Sequence, residues 1–147
     1  MSTYSFLDVN ASISGPGGNF QLGSGAGAAE EGISTAMVEE KNTMTVGADG
    51  RIMHSLHAGK GGKFTVRLLK TSPVNAQLSQ MYHLQSQSSA TWGNNVLTIN
   101  DVARGDVIEL TDAAFVKHPD LGYSKDGNTN EWEFVGNMEP LLGRGNS

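Results

Sequence analysis

The sequence predicts a mainly β protein: an antiparallel β-sandwich or barrel with one flanking α-helix. Three observations predict it. Short segments alternate apolar and polar residues with period 2, as half-buried strands do. Glycine is abundant, 19 of 147 residues, and clusters between those segments. A single segment carries apolar residues at convincing helical spacing.

Residues 5–13 open as a strand, with Leu7, Val9, Ala11 and Ile13 on one face and Asp8, Asn10 and Ser12 on the other. Gly15-Pro16-Gly17-Gly18 forces a turn before a short piece at 20–22. The glycine-rich stretch 23–32 reads as a loop or a close backbone approach. Residues 33–46 form the longest strand expected. Ala36, Val38, Met44 and Val46 mark one face; Thr35, Met37, Glu39, Lys41, Thr43 and Thr45 mark the other. That length is unusual for a free-standing domain, and a bend is expected near Glu40-Lys41-Asn42.

Residues 43–73 then read strand, tight turn, strand, glycine turn, strand and helix entry. Ala48-Asp49-Gly50 is turn chemistry, because Asp and Gly tolerate the backbone of a tight hairpin. Gly59, Gly61 and Gly62 break the chain again, and Phe64, Val66 and Leu68 alternate with Thr65 and Arg67. The helix is expected over 73–87, with Ser72 as N-cap and Pro73 at the first helical position. Its apolar stripe is Val74, Leu78, Met81 and Tyr82, with Leu84 at the edge; Gln77, Gln80, Gln85 and Gln87 fill the remainder. Two further strands follow at 96–101 and 106–116, joined through Val102-Ala103-Arg104-Gly105. Residues 117–130 read as a loop, 131–135 as a last strand with Trp132 and Phe134 on one face, and 138–147 as a tail.

Composition excludes several functions. There is no cysteine, so disulfides, thiolate catalysis and cysteine-ligated metals are ruled out. The net charge of −5 lacks the basic footprint that grips nucleic acid. No apolar run reaches the length of a membrane span, and the N-terminus lacks the pattern of a secretory signal, so synthesis in the cytoplasm is expected.

The motif tests are negative. A phosphate-cradling loop needs a glycine separated by four residues from its Gly-Lys pair; counting back from Gly59-Lys60 and Gly62-Lys63 gives His54 and His57. The residues after the lysines are Gly61 and Phe64, where Ser or Thr should hold magnesium. Gly23-Ser24-Gly25-Ala26-Gly27-Ala28 has the letters of a dinucleotide fingerprint, yet Glu30 and Glu31 stand where the pyrophosphate belongs. His54 and His57 lie three apart in an expected strand and point to opposite faces, away from any shared metal. The carboxylates are scattered and no nucleophile-elbow motif exists. The expectation is no catalysis, no cofactor and no metal. Trp92 and Trp132 are expected as core or interface anchors.

The whole-chain pattern resembles the tail tube proteins of contractile-tailed bacteriophages, whose fold is shared with the tube protein of type VI secretion. The resemblance is carried by Tyr4-Ser5-Phe6-Leu7-Asp8-Val9, by Gly47-Ala48-Asp49-Gly50 into Met53-His54-Ser55, and by residues 61–73 leading into the helix. It implies one tail-tube domain over 1–147, forming rings of six that stack into a hollow tube. The implied partners are further copies of the chain, a tail sheath protein, a tape-measure protein in the lumen, DNA passing without specific binding, and a baseplate hub and tail terminator at the ends. The implied location is the virion.

The resemblance also implies strands shared around the lumen and a loop at 47–62 reaching the next ring. The polar strand faces supply the lumen candidates: Thr35, Glu39, Lys41, Thr43, Thr45, Thr98, Asn100, Glu109 and Thr111. Asp49, Arg51, His54, His57, Lys60 and Lys63 are the inter-ring candidates. Six copies at −5 give −30 per ring, a charge that repels DNA phosphates. The alternative reading is a non-catalytic glycine-rich β-sandwich for binding or decoration, monomeric or trimeric with an aromatic patch. An enzyme with an unrecognised site is the third.

Overall fold

The computed structural model describes residues 9–22, 28–101, 103–121 and 129–143. The start of the expected first strand, the glycines at 23–27, Val102, most of the polar run at 122–128 and the last four residues lie outside the described residues.

The described elements run β1 (Val9–Gly15), β2 (Gly18–Gln21), β3 (Ala28–Met37), β4 (Asn42–Val46), β5 (Ile52–Leu56), β6 (Gly61–Leu69), α1 (Val74–Gln85), β7 (Asn95–Asp101), β8 (Asp106–Phe115) and β9 (Thr129–Leu141). Seven strands make one antiparallel sheet in the order β2-β1-β7-β8-β9-β6-β3, and β4 and β5 pair only with each other. The large sheet is not closed into a barrel: β2 and β3 stand at its two ends. It folds over instead. Ile33 and Thr35 of β3 line a cleft opposite Val9, Ile99 and Ile108 of β1, β7 and β8, giving a sandwich.

Alternation decides the core. Phe64, Val66 and Leu68 of β6, Trp132 and Phe134 of β9, and Ala11, Ile13, Leu97 and Leu110 of the neighbouring strands are all buried on one face. Phe115 ties the aromatic part together, with ring centroids 4.7 Å from Phe134 and 5.9 Å from Trp132. Helix α1 closes the core with Val74, Leu78 and Met81. Its start agrees with capping logic: Ser72 Oγ accepts the Val74 N–H at 3.3 Å, and Pro73 already holds helical angles of −65° and −18°. The Trp132 indole N–H donates to Asn75 Oδ1 at 3.0 Å, joining the helix to β9.

Three expectations need correction. Residues 33–46 are not one strand. β3 ends at Met37, β4 starts at Asn42, and the two belong to different sheets. Met37 pairs with Gly62 and Asn42 with Leu56, so four residues on one side of the ribbon face five on the other. That extra residue breaks the ladder and changes which face the side chains occupy.

Second, β9 does not stop at Val135 but continues through the expected tail to Leu141. Pro140 is tolerated there. The Met138 N–H donates to the Lys60 carbonyl on the β6 side, so the Pro140 nitrogen, two residues on, also faces that side, beyond the start of β6 at Gly61.

Third, Gln85 is not on the helix's polar remainder but fully buried. Its amide exchanges two hydrogen bonds with Asn95, at 2.7 and 2.8 Å, and donates to the Pro16 carbonyl at 2.8 Å. A buried amide is stable when its hydrogen bonds are made, and here both side chains are satisfied.

β8 also bulges between Thr111 and Ala114, where Asp112 takes the left-handed backbone at φ 50°. Gly136 of β9 accommodates the bulge: a Cβ there would sit 2.6 Å from the Thr111 carbonyl oxygen.

Candidate functional site

With every sheet neighbour antiparallel, the two ends of the sheet differ. β6 ends and β7 begins at the end that carries α1; β3 ends and β6 begins at the other, where the chain leaves to make β4 and β5. The β4–β5 hairpin therefore projects from the end opposite the helix. Its turn is closed by the Gly47 N–H to Arg51 carbonyl bond at 2.7 Å, with Gly50 at φ 86°. The Asp49 carboxylate accepts the Arg51 backbone N–H at 3.1 Å and lies 3.5 Å from the Arg51 guanidinium.

Paired residues share a face of an antiparallel ribbon. Asn42 and Leu56, Met44 and His54, and Val46 and Ile52 make one face; Thr43 and Ser55, and Thr45 and Met53, make the other. The first face is largely apolar, and no described residue covers it. Met44, Val46 and Ile52 are 56–57% exposed and Leu56 is 81% exposed. An isolated two-stranded ribbon is marginal in water, and exposed apolar faces of this kind mark interaction sites.

The nine lumen candidates are not brought together. Thr35 lies on the inner face of β3, opposite Phe64, and lines the cleft between the layers; the frame read across 33–46 put it on the wrong side. Glu39 and Lys41 lie in the break before the hairpin, where the Lys41 ammonium donates to the Gly59 carbonyl at 3.2 Å. Thr43 and Thr45 are on the hairpin's second face with Ser55 and Met53, and the Thr43 hydroxyl hydrogen-bonds His57 Nε2.

Thr98, Asn100, Glu109 and Thr111 alone share the outer face of the large sheet. There Ser12, Thr98, Glu109 and Glu139 stand in one cross-strand row. That face is polar and mixed in charge: Lys63 pairs with Glu133 at 3.1 Å, Arg67 with Glu131 at 3.3 Å and Lys60 with Glu139 at 3.2 Å.

The inter-ring candidates also divide. Asp49, Arg51 and His54 are on the hairpin, where the Asn42 amide donates to His54 Nδ1 at 3.1 Å. His57 and Lys60 lie in its return to the sheet, whereas Lys63 is within β6 on the outer face. Sequence reasoning does not single out Met44, Val46, Ile52 and Leu56 of the first hairpin face as interaction groups. The signal was present: an apolar ribbon face at the tip of a Gly-bounded excursion has no core of its own to cover it.

Among the described residues no three His, Cys, Asp or Glu side chains converge on a metal position, and no helix is long and apolar enough to cross a membrane. His83 and His118 lie with rings 5.9 Å apart. His118 also stacks edge-on against Trp132 at 5.1 Å and hydrogen-bonds Ser79 Oγ at 3.1 Å, a packing role.

The bacteriophage PhiTE tail tube protein family matches residues 1–143. No curated protein matches the chain. Among solved structures, the chain is similar to one in the sheath/tube terminator of an extracellular contractile injection system, PVC, in the extended state. The TM-score is 0.57 at 12% identity, covering 97% of each chain. A chain of the anti-feeding prophage baseplate is similar with TM-score 0.55 at 18% identity, covering 100% of this chain and 99% of that one. A chain of the PVC sheath-tube complex is similar with TM-score 0.52 at 12% identity, covering 89% and 88%. At such identities the likeness is one of fold.

Proposed function

The chain belongs to the bacteriophage PhiTE tail tube protein family, and from that premise we propose how its copies assemble. Its role is structural: it is a virion component of the tail tube, not an enzyme. The whole chain acts as one tail-tube domain. Six copies close a ring, and rings stack into the inner tube of a contractile tail, through which DNA leaves.

The observation that carries this reading is the pairing of two open sheet ends with one projecting hairpin. Among the described residues β3 and β2 each present an edge with no neighbouring strand, and an edge left open in the monomer is a template for a neighbouring strand. Joining the β3 edge of one copy to the β1–β2 side of the next repeats around a ring and closes it. The hairpin is then free to reach an adjacent ring, with Asp49, Arg51 and His54 at or near its tip.

The outer face bearing Thr98, Asn100, Glu109 and Thr111 is the lumen surface of this arrangement. Glu109 is exposed there, and Lys60, Lys63 and Arg67 are engaged by glutamates. Such a surface offers DNA phosphates few free cations. The sheath, the baseplate and the terminator are the proposed outer and end partners, as the complexes containing its fold neighbours suggest. A tape-measure protein fills the lumen before DNA, and assembly takes place in the host cytoplasm.

Electron microscopy of the purified protein tests the proposal. Six-fold rings and stacked hollow tubes are expected. A strictly monomeric protein at high concentration would overturn it.

A further inference from the structure

The uncovered apolar face of the hairpin requires a matching surface, and one lies at the opposite end of the sheet. Between α1 and β7 the chain forms a cleft of about 330 Å³ under Trp92, lined by Gln85, Ser86, Ser88 and Ser89. The Trp92 indole is half-buried, packed edge-on against Tyr82 at 6.0 Å and tilted against Phe115 at 6.3 Å, and it lines the cleft with its remaining surface. The floor is rigid: Gln85 is locked by its amide exchange with Asn95, and the Thr91 hydroxyl donates to the Gln85 carbonyl at 2.9 Å.

Another cleft at this end is a poor host for an apolar ribbon. It is built from Lys117, Asp120, Thr129, Glu131 and Glu133 with Pro119.

We infer that the Val46–Ile52 end of the hairpin of one copy docks into the Trp92 cleft of a second copy in the next ring. The inference rests on the stacked-ring reading above, and it names the receiving surface. Three observations converge on a second copy as occupant. The two surfaces lie at opposite ends of an antiparallel sheet, which suits a head-to-tail contact that propagates without closing. Both are apolar centres with polar surroundings, Met44, Val46 and Ile52 beside Asn42 and His54 on one side, Trp92 ringed by serines on the other. The hairpin residues stand more than half exposed and the Trp92 indole is only partly buried, and interface hot spots are enriched in tryptophan.

Cysteine cross-linking tests this on the intact chain, which has no cysteine of its own. Ile52→Cys is combined in turn with Ser86→Cys, Ser88→Cys and Ser89→Cys, and assembled protein is oxidised gently. At least one pair is expected to give a ladder of covalent multimers, while the single variants stop at dimers. In parallel, Trp92→Ala is expected to leave rings intact and to raise the protein concentration needed for stacking at least about tenfold. No ladder from any pair, together with unchanged stacking of Trp92→Ala, would overturn the docking site. Deletion of residues 43–55 separates the two readings. If that variant still stacks normally, the hairpin's inter-ring role fails as well; if it stops at single rings, only the Trp92 cleft has been rejected.

Discussion

β6 and the β4–β5 hairpin each gather apolar residues on one face and meet opposite fates. In β6 the alternate residues Phe64, Val66 and Leu68 are fully buried against β9, β8 and α1. In the hairpin Met44 and Val46 alternate along β4, Ile52 and Leu56 flank His54 on the same face of β5, and all four apolar residues stand more than half exposed. The difference lies in what each ribbon has beside it. β6 has a strand on both sides and a helix over the core; the hairpin has left the sheet through a break that leaves its ladder out of step with β3 and β6. Alternation says that a strand has a side to bury, but not whether the burying partner belongs to the same molecule. In a chain that forms a tube, the second answer is natural.

Changes to the first region should damage the fold, and changes to the second should damage only assembly. The largest effect is expected at Trp132. Trp132→Ala removes a fully buried ring and its bond to Asn75, at a cost of about 3–5 kcal/mol. A thermal or denaturant melt of the monomer should show most of its stability gone.

Gln85→Ala should cost about 1–3 kcal/mol in the same melt, because the Asn95 amide is left buried without its partner. Replacing Gln85 and Asn95 together by Leu should recover much of that loss, since the penalty comes from the orphaned partner. Ser72→Ala should cost about 0.5–2 kcal/mol through the helix start. Smallest of all, Ile52→Ser should move monomer stability by no more than about 0.5 kcal/mol. Sedimentation of the same variant should nonetheless show stacking lost. A large drop in its monomer melt would break the contrast between the two regions.

Much of this was legible in the sequence because it depends on local patterns. Asp49-Gly50 announced the hairpin turn, Ser72-Pro73 the helix start, and Phe64-Val66-Leu68 the central strand. What escaped depended on partners distant in sequence. The break at 38–41 arises from unequal lengths on the two sides of a ribbon, and the residues on either side still alternate as if continuous. Thr35 was misplaced for that reason. Gln85 looked like surface because its partners, Asn95 and the Pro16 carbonyl, come from other elements. β9 looked finished before Pro140, since the sequence does not show that β6 has not yet begun beside it. Within the site, the polar hairpin residues were legible and the apolar ones that give it an adhesive face were not.

Hydrogen–deuterium exchange on the hairpin amides, in monomer and in assembled protein, tests the central claim most directly. Residues 42–56 should exchange quickly in the monomer and become strongly protected on assembly, while β6 and β9 are protected in both. Hairpin amides that exchange equally fast in monomer and tube would contradict the account, because the apolar face would then have no partner in the assembly.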